Sequence, residues 1–83
     1  MTHYTCPVCG FNKLEESPYD NGSASFEICS CCGFQFGFDD DDQGYSFESY
    51  REDWIKRGFP FFSSHKKPPI WNVEAMQQQL RNL

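Results

Sequence analysis

Two copies of one short pattern set most of what this chain can become. Cys6-Pro7-Val8-Cys9-Gly10 and Cys29-Ser30-Cys31-Cys32-Gly33 are both C-x-x-C-G knuckles, with 19 residues between Cys9 and Cys29. Thiolates three residues apart reach one metal while the turn between them aims backbone N–H groups at the sulfurs. A glycine after the second cysteine takes a positive φ and leaves the metal without a Cβ clash. Two such pairs at this separation have the spacing of a four-cysteine zinc site. Cys6, Cys9, Cys29 and Cys32 are therefore the candidate ligands. Zinc is the expected metal and iron the alternative, because both accept a tetrahedron of four sulfurs.

Cys31 competes with Cys32 for the second pair. Gly33 follows Cys32 as Gly10 follows Cys9, so Cys31 takes the slot of Val8 and is read as a non-ligand. A redox role for its thiol lacks the base or cationic neighbour that lowers a cysteine pKa. His3 and His65 are the remaining nitrogen donors, but four thiolates already close a structural zinc shell. Five cysteines, an odd number, fit a disulfide framework poorly. Paired C-x-x-C motifs in a reducing compartment favour metal over disulfide. No basic-then-apolar leader follows Met1, and no apolar run is long enough to cross a bilayer. The expected location is the cytoplasm, away from membranes.

At 83 residues the expectation is a single domain close to the size where a core alone gives little surplus stability. The apolar supply is mostly rings: nine Phe, four Tyr and two Trp. Only three Leu, three Ile and two Val accompany them, so a ring core around a metal clip is expected rather than an aliphatic sheet core. The net charge of −5 is uneven. Residues 1–50 sum to −8 and residues 51–83 to +3. Ribbons that bind nucleic acid present a basic face, and this one would be acidic, which argues against a nucleic-acid partner.

The expected fold is a small metal-bound α+β ribbon over residues 1–44, with the knuckles on a short antiparallel sheet, followed by two helices. His3 to Thr5 and Asn12 to Glu16 read as strands around the first knuckle. Asn21-Gly22 is the strongest hairpin signal, and Ser25 to Ile28 reads as the strand into the second knuckle. Phe34-Gln35-Phe36-Gly37-Phe38 alternates, which predicts a third strand with its rings on one face. Residues 45–58 predict an amphipathic helix, with Ser46 as N-cap, a Tyr45–Tyr50 staple and Gly58 as stop. Its apolar stripe is Phe47, Tyr50, Trp54 and Ile55. Residues 59–83 predict an irregular arm and then a helix from Val73 to about Arg81, capped by Asn72. Val73, Met76 and Leu80 lie on one face of that helix, and Trp71 and Met76 sit at staple positions.

Asp39 to Asp42 invites a calcium reading. An EF-hand begun at Asp39 puts Tyr50 where Glu belongs, and one begun at Asp40 misplaces Gly44. A solvated acidic turn is the better account. Phe59-Pro60-Phe61-Phe62 is apolar and aperiodic: it either folds back beside Trp54 or stays out as a contact patch.

The run Tyr4 to Phe11, the run Phe26 to Phe34, an Asp-rich turn and a Trp-bearing helix together resemble the small bacterial cysteine-rich CPCC proteins. That family is thought of as zinc-ribbon or rubredoxin-like. The likeness covers roughly residues 4–58, although here the first knuckle is C-P-V-C and the adjacent cysteines, Cys31 and Cys32, fall in the second. The knuckles also resemble those of rubredoxin, which implies the iron alternative. No nucleophile–base pair or phosphate loop stands out, so the expectation is a non-enzymatic zinc protein that acts as an adaptor for another protein. A rubredoxin-like electron carrier and a nucleic-acid-associated ribbon are the rivals.

Overall fold

The computed structural model describes residues 3–40 and 42–83. Each knuckle opens and closes on itself. Cys6 N–H donates to Phe11 O at 2.7 Å and Gly10 N–H to Cys6 O at 2.9 Å. The second repeats this, with Cys29 N–H on Phe34 O at 3.0 Å and Gly33 N–H on Cys29 O at 2.9 Å. Gly10 and Gly33 take φ of +82° and +81°, the left-handed region that the sequence reserved for glycine.

Extended structure is sparser than the alternation predicts. Two-residue strands β1 (Tyr19–Asp20) and β2 (Ser23–Ala24) pair antiparallel across the Asn21-Gly22 turn, with Tyr19 opposite Ala24 and Asp20 opposite Ser23. The expected strands beside the knuckles reduce to single antiparallel bridges, Tyr4 with Leu14 and Ile28 with Gln35. The strand expected over Phe34 to Phe38 does not form. The chain turns at Gly37, whose φ is +92°, and Asp39 and Asp40 fold back to accept from Gln35 N–H and Gly37 N–H at 2.8 Å each. Phe34 and Phe36 are consequently buried while Phe38 is exposed. Short acidic side chains that satisfy their own loop's amides competed successfully with the ladder.

The helices follow their signals more closely. Helix α1 (Phe47–Lys56) starts at Ser46, whose hydroxyl accepts from Ser49 N–H, while Ser49 Oγ accepts from Ser46 N–H, both at 3.0 Å. The Tyr45 and Tyr50 rings meet edge to face at 5.2 Å, as the staple requires. Helix α2 (Val73–Leu80) is capped by Asn72, whose side-chain oxygen accepts from Ala75 N–H at 3.0 Å. Its inward face differs from the expected one. Val73 is exposed, and Ala75, Met76, Gln79 and Leu80 turn inward.

Rings fill the core in two groups. Phe34, with no exposed surface, packs on Phe36, Phe47 and Tyr50 at centroid distances of 5.3, 5.6 and 4.9 Å. Phe11, its counterpart after the first knuckle, packs instead on Phe61 at 6.1 Å, and Phe61 on Trp71 at 5.2 Å. Trp71 also meets Trp54 and Phe59. The start of the arm therefore folds back: Phe59 and Phe61 face the core, while Phe62 stays largely exposed. The indole N–H groups of Trp54 and Trp71 donate to the Pro60 and Phe59 carbonyls, both at 2.9 Å, so burying the indoles leaves neither donor unpaired.

Candidate metal centre

The two knuckles bring Cys6, Cys9, Cys29 and Cys32 together, with all four sulfurs within 4.8 Å of one another. Cys6 and Cys32 sulfurs stand 3.8 Å apart, and those of Cys9 and Cys29 3.6 Å. Four sulfurs at about 2.3 Å from a central zinc would be separated by about 3.8 Å along each edge of the tetrahedron. The cluster therefore fits a single metal ion of that size and donor preference. All five cysteines are free thiols. Cys6, Cys9 and Cys29 have no exposed surface and Cys32 is 5% exposed, so no ligand position opens directly to solvent. Val8 N–H points at Cys6 Sγ at 3.4 Å, the orientation a knuckle offers to a thiolate.

Without a cation the cluster cannot carry four negative charges, and its protons distribute unequally. Hydrogen bonding to Cys29, and then to the other thiols, pushes the Cys9 thiol up. Burial first, and Cys29 next, push Cys32 up. Cys29 goes down because Cys32, Cys6 and Cys9 all donate toward its sulfur. A metal is held by thiolates, so its binding releases the protons that the thiols carry.

Residues far along the chain hold the knuckles from outside. The Arg51 guanidinium on α1 donates from Nε to Val8 O and from Nη2 to Pro7 O, the latter at 2.9 Å. Gln79 Nε2 on α2 donates to Cys9 O at 3.0 Å and to Cys31 Sγ at 3.2 Å, and Asn82 Nδ2 to Gly10 O at 2.9 Å. On the second knuckle, Phe62 N–H donates to Cys31 O at 2.9 Å, Ser63 N–H to Ser30 O at 2.8 Å, and the Tyr50 hydroxyl to Cys32 O at 3.4 Å. The Tyr50 phenol is pushed above its usual range by burial first, then by Cys32 and Asp39.

Cys31 is fully buried yet lies outside the four-sulfur group, in the slot that Gly33 assigned to it. His3 and His65 are exposed and also outside it. Of the acidic turn, Asp39 and Asp40 cap backbone amides, Asp42 is exposed, and Asp41 lies outside the described residues. Arg51, Gln79 and Asn82 carry no sequence motif. The available signal was polar side chains on inward helix faces: Arg51 three residues before Trp54, and Gln79 three after Met76.

No family model matches the chain, and no solved structure matches it. Two proteins of Bacillus subtilis (strain 168) do, each described only as an uncharacterised protein. YoaQ is 33% identical over 70 residues, which is 66% of this chain and 59% of YoaQ. This chain thus spans less than two thirds of that relative. YozI is 30% identical across 95% of this chain and 71% of its own length. At that identity and coverage, the chain belongs to the family of YozI.

Proposed function

We propose that this is a small cytoplasmic zinc-ribbon protein whose four-thiolate zinc is structural, and which works as a protein-interaction module rather than an enzyme. The observation that carries the reading is the buried four-sulfur cluster, two of whose edges, at 3.6 and 3.8 Å, are those of a zinc tetrahedron. Four protein sulfurs complete the shell, which leaves no coordination position for a substrate. Cover from α1, α2 and the arm also weighs against electron transfer, which needs a ligand edge close to its redox partner. Five free thiols are in keeping with a reducing compartment. No helix among the described residues is long and apolar enough to cross a membrane. If the arm contributes a contact, Phe62 is its exposed ring, at 62%, because Phe61 is committed to the core.

Metal analysis joined to near-UV circular dichroism tests the reading. Binding of a structural zinc is worth on the order of 10 kcal/mol of folding free energy in small domains. One zinc per chain is expected, with loss of the aromatic signals on chelation. Cys32→Ser should lose the metal, whereas Cys31→Ser should retain it with a stability change of about 1 kcal/mol. Native signals in metal-free protein would sink the structural role. Red protein carrying one iron would favour the rubredoxin-like carrier instead.

A further inference from the structure

The two knuckles come from distant parts of the chain, and within the centre only the metal would join them. One side chain outside the centre also bridges them. Gln79 Nε2 reaches the carbonyl of Cys9 in the first knuckle and the sulfur of Cys31 in the second, at 3.0 and 3.2 Å. A side-chain amide has two N–H donors, one for each partner. Gln79 is set there by a close approach: a Cβ on Gly10 would lie 2.1 Å from the Gln79 carbonyl oxygen, so α2 rests directly on the first knuckle's backbone. Asn82 ties the same end of α2 to Gly10 O.

We propose that Gln79 is a positioning residue of the metal centre, a staple between the knuckles that slows metal loss, with Cys31 as its sulfur anchor. The proposal rests on the four-sulfur metal reading above. When one metal–sulfur bond opens, the staple keeps Cys9 and the second knuckle within reach, so rebinding competes with escape. It also gives the fifth cysteine a task. Cys31 occupies the slot that Val8 fills in the first knuckle, but its sulfur accepts a hydrogen bond where a valine side chain could not.

The test is zinc transfer from the full chain to an excess of a chromophoric chelator, with the cobalt(II) absorption spectrum as a second readout. Gln79→Met keeps the length and removes both donors. Loss of two modest hydrogen bonds predicts release about 10-fold faster. Cys31→Val, which copies the first knuckle, should speed release about 3-fold, by loss of one of them. The d–d envelope of the cobalt protein should shift in Gln79→Met, because the knuckles sit differently around the metal. Asn72→Ala is the control for a merely structural role, since it weakens the α2 cap without touching either knuckle. It should lower the melting temperature and leave the cobalt spectrum unchanged. If Gln79→Met does not fold, Gln79→Leu also removes both donors without adding charge, and the same acceleration is expected. Release from Gln79→Met at the wild-type rate, or no faster than from Asn72→Ala, overturns the staple while the metal reading stands. Wild-type protein that holds no stoichiometric metal overturns both.

Discussion

Residues 6–10 and 29–33 turn through nearly the same path, with closing N–H···O bonds of 2.9 Å and glycine φ values one degree apart. Their covers differ. The first knuckle is held by side chains of both helices, Arg51 on Pro7 and Val8 and Gln79 on Cys9, and by Asn82, just past α2, on Gly10. The second is held mainly by the backbone of the arm at Phe62 and Ser63, with one long hydroxyl contact from Tyr50 and the other N–H of Gln79 on the Cys31 sulfur. Local sequence dictates a knuckle's turn, but what lies over it depends on partners 18 to 72 residues away. The first knuckle is therefore the tertiary anchor, and the second is the more lightly dressed.

The strongest way to break that comparison is to place the same methyl on both knuckles. Gly10→Ala would drive a Cβ into the Gln79 backbone at 2.1 Å, so α2 must lift. At Gly33 the obstacle is a ring carbon of Phe62 at 2.8 Å, on a largely exposed side chain that can swing away. Each change pays the left-handed backbone penalty of about 1–2 kcal/mol. The undocking of α2 should bring Gly10→Ala to about 3–5 kcal/mol, within the range of severe single substitutions. Thermal melts of the metal-loaded proteins check the order, and equal losses would contradict it.

Arg51→Ala removes two hydrogen bonds from a charged donor to knuckle carbonyls and should cost about 2–3 kcal/mol in the same assay. In the arm, Phe61→Ala loses the contacts to Phe11 and Trp71 and should cost about 2 kcal/mol, while Phe62→Ala should cost under about 1 kcal/mol. The reverse order for the two Phe variants would mean that the outer ring, against Gly33, anchors the arm more strongly than the inner one on Phe11 and Trp71.

The smallest effect concerns pH. Folding raises the Tyr50 phenol above its ordinary value of 10.0, so the folded chain binds that proton more tightly than the unfolded one. The resulting stability is present below pH 10 and is lost as pH rises through the raised value. Tyr50→Phe should flatten this alkaline decline and change the neutral melting temperature little. Urea midpoints measured across the alkaline range would show it.

Features carried by neighbouring residues were legible in the sequence. The knuckle glycines, the Ser46 and Asn72 caps, the Tyr45–Tyr50 staple and the Asn21-Gly22 hairpin all depend on contacts a few residues apart. Gly33 set the register on which Cys31 is read as a non-ligand. The third strand was not legible: alternation of three Phe says nothing about Asp39 and Asp40 folding back onto the loop amides. Nor was the division of labour between Phe11 and Phe34, which occupy equivalent places in the repeat but join different ring groups. The helix side chains on the knuckle carbonyls are long-range pairings with no pattern of their own, and Gln79 sits inside a run of three Gln.

X-ray absorption at the zinc edge of the purified protein tests the central claim most directly. One zinc per chain is expected, with four sulfur neighbours at about 2.3 Å and no nitrogen or oxygen in the shell. A shell with fewer than four sulfurs, or with a histidine nitrogen or a water, would contradict it.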